Sequence, residues 1–236
     1  VQVRYIGTGE AFDDKLPNTS LVYDGDIRVL LDCGYSVPHA LWKASLDPHW
    51  LDAIYISHFH ADHCFGLLVL VVRMSQDGRT KPLKLLGGTG SRNCFDRVLE
   101  TGYPGISNKV RFELEFCEIH PSNAMRLGSL FVTTARSNHS IPNHAVRLEQ
   151  DAVSVCFSGD GGPTADSEAL YRNATLLVHE AYYPELRDKQ THASVPQVMA
   201  LAERAGVDQL HLLHLARNAP RPVDVTLPAP GDVFTL

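Results

Sequence analysis

The sequence predicts an α/β fold. Short apolar runs with the length of strands recur along the chain, and segments with the character of helices follow several of them. The clearest case is the run over residues 51–56, which leads into a cluster of polar side chains and then into an apolar helical segment. With 236 residues and 44% hydrophobic content, the chain can bury one large core, so we expect a single domain over residues 1–236.

Three strands are expected before the polar cluster, over residues 2–6, 20–24 and 27–31. The last two are joined by the turn Asp24-Gly25-Asp26, in which glycine supplies a positive φ. The third strand ends next to Asp32, and a carboxylate at the end of an apolar strand is costly to bury unless it is paired. On local grounds alone, Asp32 could equally cap the turn before Gly34.

The rest of the chain continues the alternation of strands and helices. Helices are expected over residues 62–75, 91–100 and 195–205. Further strands are expected over residues 83–86, 110–119, 129–135, 145–149, 153–157, 176–181 and 209–215. The glycine-rich turn at residues 87–90 precedes a helix and could hold an anion, but a simple reversal of the chain is the favoured interpretation.

Composition argues against several classes of protein. The longest apolar run, residues 65–72, is too short to span a membrane. No signal peptide is recognisable, although the chain begins at Val1 and a leader could have been removed. Five cysteines without a C-x-x-C pair predict reduced thiols and a cytoplasmic location, with Cys64 as a packing residue. The net charge of −6 provides no general attraction for nucleic acid, although a local basic patch could exist.

The stretch Ser57-His58-Phe59-His60-Ala61-Asp62-His63 carries four side chains that can ligate a metal ion. In an extended strand tail His58 and His60 project to the same side, while Asp62 and His63 are neighbours at a helix start and can point into one cavity. Imidazole and carboxylate at this density suit zinc or a similar divalent ion. Six residues cannot easily wrap four ligands around one ion, so two neighbouring ions are predicted. Chance clustering is the alternative, since the chain has 12 histidines.

The pattern H-x-H-x-D-H after a hydrophobic strand resembles the metallo-β-lactamase superfamily of dinuclear metallohydrolases. The continuation His63-Cys64-Phe65-Gly66-Leu67 resembles its ribonuclease Z branch more particularly. The resemblance implies a four-layer αββα sandwich, a homodimer, and two divalent metal ions, expected to be zinc with manganese or iron as alternatives. It also implies that Asp32 lies behind the metals and fixes the tautomer of a ligand histidine.

Two elements of the second half match the same branch. The segment Ser137-Asn138-His139-Ser140-Ile141-Pro142 resembles the H-S-I-P element, which implies that His139 completes the first metal site. His144 is the rival, but it lies beyond the proline at the start of the next strand. Ser158-Gly159-Asp160 matches the G-D element, which implies that Asp160 bridges the two ions. Without the resemblance, a plain Asp-Gly turn would be the better interpretation.

The last elements concern proton donation and the final ligand. His179-Glu180-Ala181 resembles the H-E-A element, whose glutamate pairs with a proton-donating histidine, and His192-Ala193-Ser194 matches the H-S-T element. An ordinary ion pair between Glu180 and His192 is the alternative. His211 and His214 have opposite parity in the last expected strand. His214 lies nearer its carboxyl end and fits the final ligand, whereas His211 is interpreted as structural.

The resemblance therefore implies a complete site. One ion is expected at His58, His60 and His139, the other at Asp62, His63 and His214, with Asp160 between them. The pair of ions would hold a bridging hydroxide for attack on a phosphodiester. Asp62 would orient the hydroxide, and His192, held by Glu180, would protonate the departing oxygen.

Substrate class is predicted from a difference within the branch. Bacterial ribonuclease Z carries a long tRNA-gripping arm between the elements matching His139 and Asp160, whereas here only 21 positions (160 minus 139) separate these residues. A small or cyclic phosphodiester is therefore the favoured substrate. RNA 3′-end processing is the second hypothesis, and hydrolysis of a lactone, β-lactam or sulfate ester is the third. A non-catalytic binding module would have no reason to keep all seven ligands.

Overall fold

The computed structural model describes residues 1–121, 123–187 and 191–236, and within these ranges thirteen strands form two β-sheets. The first sheet has the strand order β13-β1-β2-β3-β4-β5-β6, in which β3 to β6 run parallel. Its strands are β1 (Gln2–Gly7), β2 (Ser20–Asp24), β3 (Arg28–Leu31), β4 (Ala53–Ile56), β5 (Leu83–Gly88), β6 (Leu114–Ile119) and β13 (Val233–Thr235).

The second sheet has the strand order β12-β11-β10-β9-β8-β7, and its last three strands in chain order are parallel. Its strands are β7 (Met125–Leu127), β8 (Leu130–Arg136), β9 (His144–Gln150), β10 (Val153–Phe157), β11 (Leu176–Glu180) and β12 (Gln209–Leu213). The antiparallel pair β9 and β10 is a tight hairpin, since Gln150 pairs with Val153.

Helices cover the outer face of each sheet. The helices are α1 (Val37–Ala44), α2 (Ala61–Cys64), α3 (Gly66–Gln76), α4 (Ser91–Gly102), α5 (Ala165–Tyr171) and α6 (Val195–Ala205), with a 3-10 turn at Ile106–Asn108. Apolar residues of α1, α3 and α4 pack on the first sheet, and those of α5 and α6 pack on the second. The expected αββα sandwich is confirmed. None of the helices in the described ranges is long and apolar enough to cross a lipid bilayer.

The core between the sheets follows from strand alternation. In β4, Ala53 and Tyr55 face the inter-sheet core, whereas Ile54 and Ile56 face the helices, and all four are fully buried. Successive side chains of a strand point to opposite faces, so a strand covered on both sides needs an unbroken apolar run. Each such large side chain contributes about 1.5–3 kcal/mol when it is fully buried.

The prediction of one continuous helix over residues 62–75 is wrong, because the chain forms two helices that meet at Phe65. The N–H of Gly66 donates to the carbonyl of Cys33 (2.9 Å) instead of continuing the first helix. Gly34 lies so close to the carbonyl of Asp62 that a side chain there would overlap it. This contact between distant segments breaks the helix where α2 presents its polar residues.

Other boundaries also differ from expectation. The strand predicted over residues 110–119 begins only at Leu114, because the backbone N–H groups of Val110 and Arg111 donate to the carbonyl of Ile106 and the hydroxyl of Ser75 instead of to a neighbouring strand. The strand predicted over 209–215 ends at Leu213. Four elements were not predicted at all, namely α1, α5, β7 and β13.

Replacing Gly34 with alanine should destabilise the protein by about 3 kcal/mol, the upper part of the usual range for overpacking. The added Cβ would overlap the backbone of Asp62, which cannot move without displacing α2. The denaturation midpoint of the metal-free protein measures this. Gly102→Ala is the control, since its Cβ would meet only the flexible end of Leu68. Equal midpoints for the two variants would contradict the prediction.

The topology places the carboxyl ends of the parallel strands at one edge of the sandwich. Asp32 follows β3, the histidine cluster follows β4, Asp160 follows β10, Glu180 ends β11 and His214 follows β12. In open α/β sheets, ligands bind at this end of the strands. The functional site is therefore expected there.

Candidate metal centre

Three histidines converge at the end of β4. The Nε2 atom of His58 lies 3.0 Å from Nδ1 of His60, and Nε2 of His139 lies 3.2 Å from the same nitrogen. Each ring offers a ligand atom within 4.8 Å of the others, so this group could hold a metal ion. His58 is fully buried, while His60 and His139 are half-buried.

A second group lies beside the first. Nε2 of His63 is 3.1 Å from Oδ2 of Asp62 and 3.4 Å from Oδ1 of Asp160, and Nε2 of His214 is 3.3 Å from Oδ2 of Asp160. The four side chains are buried and their ligand atoms also lie within 4.8 Å of one another. The structure thus brings together all seven predicted ligands, although they are spread from residue 58 to residue 214.

The donor set fits divalent cations. Among the described residues, Nε2 of His63 and Oδ1 of Asp160 are buried and have no hydrogen-bond partner. Leaving a buried polar atom unsatisfied costs about 1–3 kcal/mol, and more for a charged group. A cation between these atoms would satisfy both, and the five imidazoles and two carboxylates of the two groups are ligands that zinc accepts.

Asp32 supports the second group from behind, as predicted. Its Oδ2 lies 2.6 Å from Nδ1 of His63, and its carboxylate accepts hydrogen bonds from the backbone N–H and the hydroxyl of Ser57, both at 2.7 Å. This arrangement holds one proton of His63 on Nδ1 and turns Nε2 toward the other candidate ligands, where a bound cation would take the place of the second proton. Burial alone would lower the pKa of His63, but the charges of Asp160 and Asp32 outweigh it and raise that pKa well above its usual value.

Asp160 is presented by its flanking glycines. Gly159 and Gly161 have φ values of 58° and 122°, which side chains rarely tolerate, and they turn the chain sharply after β10. Burial would raise the pKa of Asp160, but the charges of His214 and His63 hold it well below its usual value. The carboxylate therefore stays ionised, as a bridging ligand requires.

The orientation of His214 toward the site does not follow from the alternation of side chains along the strand. It lies just beyond β12, in a left-handed conformation with φ of 56°, and its N–H donates to the carbonyl of Thr8 (3.0 Å). The hydroxyl of Thr19 lies 3.1 Å from its Nδ1. The turn, not strand alternation, aims this ring. His211, within the strand, pairs its Nδ1 with the hydroxyl of Tyr5 (2.7 Å), in agreement with a structural role.

Glu180 and His192 form the predicted pair at the border of both groups. Nδ1 of His192 lies 3.1 Å from Oε1 of Glu180 and 3.9 Å from Oδ2 of Asp160. Glu180 is fully buried and accepts three backbone hydrogen bonds of 2.9 Å, from Gly161, Tyr182 and Ala193. Burial would lower the pKa of His192, but the hydrogen bond to Glu180 outweighs it and raises that pKa.

Residues 1–223 match the protein family described as anti-Pycsar protein Apyc1. The chain belongs to the anti-Pycsar protein Apyc1 family. A relative of this family member, ribonuclease Z of Thermoplasma acidophilum, is 25% identical over 281 residues, covering 96% of this chain and 89% of the relative. Because this chain has 236 residues, at least 45 residues of the alignment (281 minus 236) have no counterpart in it.

Solved structures give the same fold. Human short-form tRNase Z superposes with a TM-score of 0.83 at 23% identity, covering 100% of this chain and 99% of that chain. The metallo-β-lactamase fold protein YhfI from Bacillus subtilis has a TM-score of 0.81 at 20% identity, covering 99% and 98%. The resemblance to the metallo-β-lactamase fold and to the ribonuclease Z branch is thereby confirmed, and this family member is a metal-dependent hydrolase.

Sequence reasoning missed the residues that hold the predicted ligands in place. Thr19 contacts His214, and the side chain of Asn143 contacts Ser137, the carbonyl of Ser158 and the N–H of Asp160. Isolated threonine and asparagine residues carry no local signal for such roles. His144, the rival ligand, is not in either group; its ring packs against Gly88.

Proposed function

We propose that this chain is a dinuclear phosphodiesterase that acts on a small or cyclic phosphodiester, with zinc as the expected metal. The observation that carries the proposal is the position of His192. It is held by buried Glu180 and lies beside both groups of candidate ligands. Metal-dependent hydrolysis of a bond with a poor leaving group requires such a proton donor, whereas metal storage does not.

The ligands are assigned as the sequence predicted. One ion would be held by His58, His60 and His139. The other would be held by Asp62, His63 and His214, and Asp160 would ligate both ions. When bound, two divalent ions supply positive charge for the phosphate oxygens and a water of lowered pKa. Burial would raise the pKa of Asp62, but its contact with His63 (3.1 Å) outweighs burial and lowers that pKa. The carboxylate is therefore ionised and orients the attacking water.

His192 transfers a proton to the departing oxygen. Its Nδ1–H donates to Glu180, so the proton on Nε2 is the one available for transfer. The side chain is 21% exposed, so a substrate can reach it. Because its pKa is raised, the ring holds this proton at neutral pH.

The short chain segment between His139 and Asp160 supports a small substrate. That interval is filled by the β9–β10 hairpin, which pairs in register from Val146 with Phe157 to Gln150 with Val153. No arm extends from this part of the chain. The net charge of −6 also disfavours a long polyanion, because phosphate neutralisation dominates nucleic-acid affinity.

RNA 3′-end processing is the second candidate. It is favoured by the curated relatives named ribonuclease Z, which align with 92–99% of this chain. An RNA nuclease would bind its substrate with a strong dependence on salt, whereas a small diester would not.

The test begins with removal of the metal by a chelator. The stripped protein should lose hydrolysis of a cyclic nucleotide and of bis(p-nitrophenyl) phosphate, and about two equivalents of zinc per chain should restore both. RNA with a single-stranded 3′ end is assayed in parallel at low and high salt. Reconstituted protein that hydrolyses neither diester would overturn the proposal, and salt-sensitive cleavage of RNA alone would establish the second candidate.

A further inference from the structure

A cavity of about 370 Å³ lies between β1 and the end of α1. Its residues come from these two elements, from the loop that follows β1 and from the turn before β13, and none of them is a candidate metal ligand. Val3 and Tyr5 of β1 face the core between the sheets, so the side chain of Arg4, which lies between them in sequence, points to the helix-covered face of the first sheet. The cavity is therefore separate from the metal centre.

Three cationic side chains line this cavity, namely Arg4, Lys15 and Lys43, and among the described residues no aspartate or glutamate lines it. None of the three side chains has a hydrogen-bond or ion-pair partner in the described part of the chain. Other cations of the first sheet do have such partners, as in the ion pair of Lys84 with Glu115. The net charge of −6 left room for a local basic patch, and this cavity is one.

The carboxylates that neighbour the cavity in sequence do not compensate these charges within it. Asp13, Asp14 and Asp232 lie in the adjoining segments but are not among the lining residues. Oδ1 of Asp13 accepts a hydrogen bond from the backbone N–H of Lys15 (2.9 Å). Oδ2 of Asp232 accepts one from the N–H of Ala229 (2.8 Å). Two of the three carboxylates are thus engaged with their own loops, and the cavity keeps its positive charge.

The charge and the size of the cavity indicate the class of ligand. Like charges that face one cavity repel one another, and a bound anion removes that repulsion. A phosphate group carries a charge of about −1.5 to −2 at neutral pH. Arginine binds phosphate through two parallel N–H groups, and lysine binds it as a point charge. The cavity is larger than one phosphate group, and Ile6 and Ala40 offer apolar surface to an attached organic group.

We infer that this cavity is a non-catalytic binding site for an anion with a phosphate group, either inorganic phosphate or a small phosphomonoester. The guanidinium of Arg4 binds the phosphate oxygens from the sheet, while Lys15 and Lys43 neutralise the charge from the loop and from α1. The inference goes beyond the proposed function and does not depend on it, because no group assigned to hydrolysis lines the cavity.

Calorimetric titration of the zinc-loaded protein with inorganic phosphate, at constant ionic strength, tests the inference. Wild type should show a binding event that Arg4→Gln weakens by about tenfold or more, because the charge and the paired N–H groups are lost. Phosphate bound at the metal centre is a separate event that this variant keeps. Arg111→Gln is the control, since the side chain of Arg111 also has no partner among the described residues but lies outside the cavity. Identical titrations of wild type and Arg4→Gln would overturn the inference, as would a loss of equal size in Arg111→Gln.

Lys43→Gln provides a second variant at an exposed position of α1, where folding is not at risk. It should weaken the same binding event a few-fold, and an unchanged titration would contradict the inference. Phenyl phosphate distinguishes the two sources of the phosphate group. Binding tighter than that of inorganic phosphate, and weakened by Arg4→Gln, assigns the site to a phosphomonoester, whereas equal or weaker binding assigns it to inorganic phosphate.

The position of the anion can be measured directly. In crystals of the zinc-loaded protein soaked with tungstate, anomalous scattering should locate an ion beside Arg4 and Lys43. An ion at this place together with unchanged titrations of both variants would mean an adventitious ion only and would overturn the inference. Neither measurement depends on hydrolysis, so a failure of the proposed phosphodiesterase function would be distinguished from a failure of this inference.

Discussion

Asp160→Asn should reduce hydrolysis of every diester by roughly a thousandfold or more, the scale seen when a group that stabilises transition-state charge is lost. The carboxylate of Asp160 lies 3.4 Å from Nε2 of His63 and 3.3 Å from Nε2 of His214, and its Oδ1 has no hydrogen-bond partner among the described residues. An amide has nearly the same shape but no charge. The variant should therefore bind fewer than two zinc ions per chain, as measured by elemental analysis.

Exposed Asp166, in the first turn of α5, provides the matched control. Asp166→Asn should keep both its metal content and its activity. The metal-free forms of wild type and Asp160→Asn should unfold at similar denaturant concentrations, which separates loss of metal from loss of fold. Full metal content and full activity in Asp160→Asn would show that this carboxylate does not hold the ions.

His192→Asn should slow hydrolysis of a cyclic nucleotide by about a hundredfold to ten-thousandfold, the range expected for a lost proton donor. The departing alkoxide is strongly basic and needs the proton, whereas p-nitrophenolate leaves without one. Hydrolysis of bis(p-nitrophenyl) phosphate should therefore change by less than about tenfold. The dependence on the leaving group distinguishes proton donation from a structural role, which would slow both substrates alike.

The pH profile provides a second readout. The hydrogen bond to Glu180 raises the pKa of His192, so the proton is present at and below neutral pH and is lost as pH rises through that raised value. Wild-type activity on the cyclic nucleotide should fall on this alkaline side, and His192→Asn should lack that limb. Because His192 also lies within reach of His139 and Asp160, metal content is measured as well. A loss of metal in the variant would assign His192 to metal binding instead.

Elements with a strong local signal could be predicted from the sequence. The strand Ser20–Asp24 and the helix Val195–Ala205 were predicted with the bounds that the structure gives. Their apolar periodicity is complete within the segment itself, and the helix ends at Gly206, with φ of 66°. The break at Phe65 could not be predicted, because it depends on Gly34, thirty-one positions earlier, packing on the carbonyl of Asp62.

The candidate site divides in the same way. The run from His58 to His63 could be predicted as a metal site from the sequence, because four side chains able to ligate a metal fall within six residues after a strand. His139 and His144 are five residues apart, and their parts in the fold differ because one ring meets His60 while the other packs against Gly88. Spacing within a short loop does not determine which ring turns inward.

By itself, the sequence determined the set of metal-capable side chains, their positions at strand ends and the alternation of strands with helices, because these depend on residue chemistry and on periodicity over a few positions. The αββα class was implied by the resemblance of the motifs to a known superfamily. The tertiary structure decided what depends on contacts between distant segments. It placed His214 through a left-handed turn that bonds to Thr8, and it put His192 against Glu180 beside Asp160. These arrangements arise only when the two sheets pack and bring the carboxyl ends of their strands to one edge.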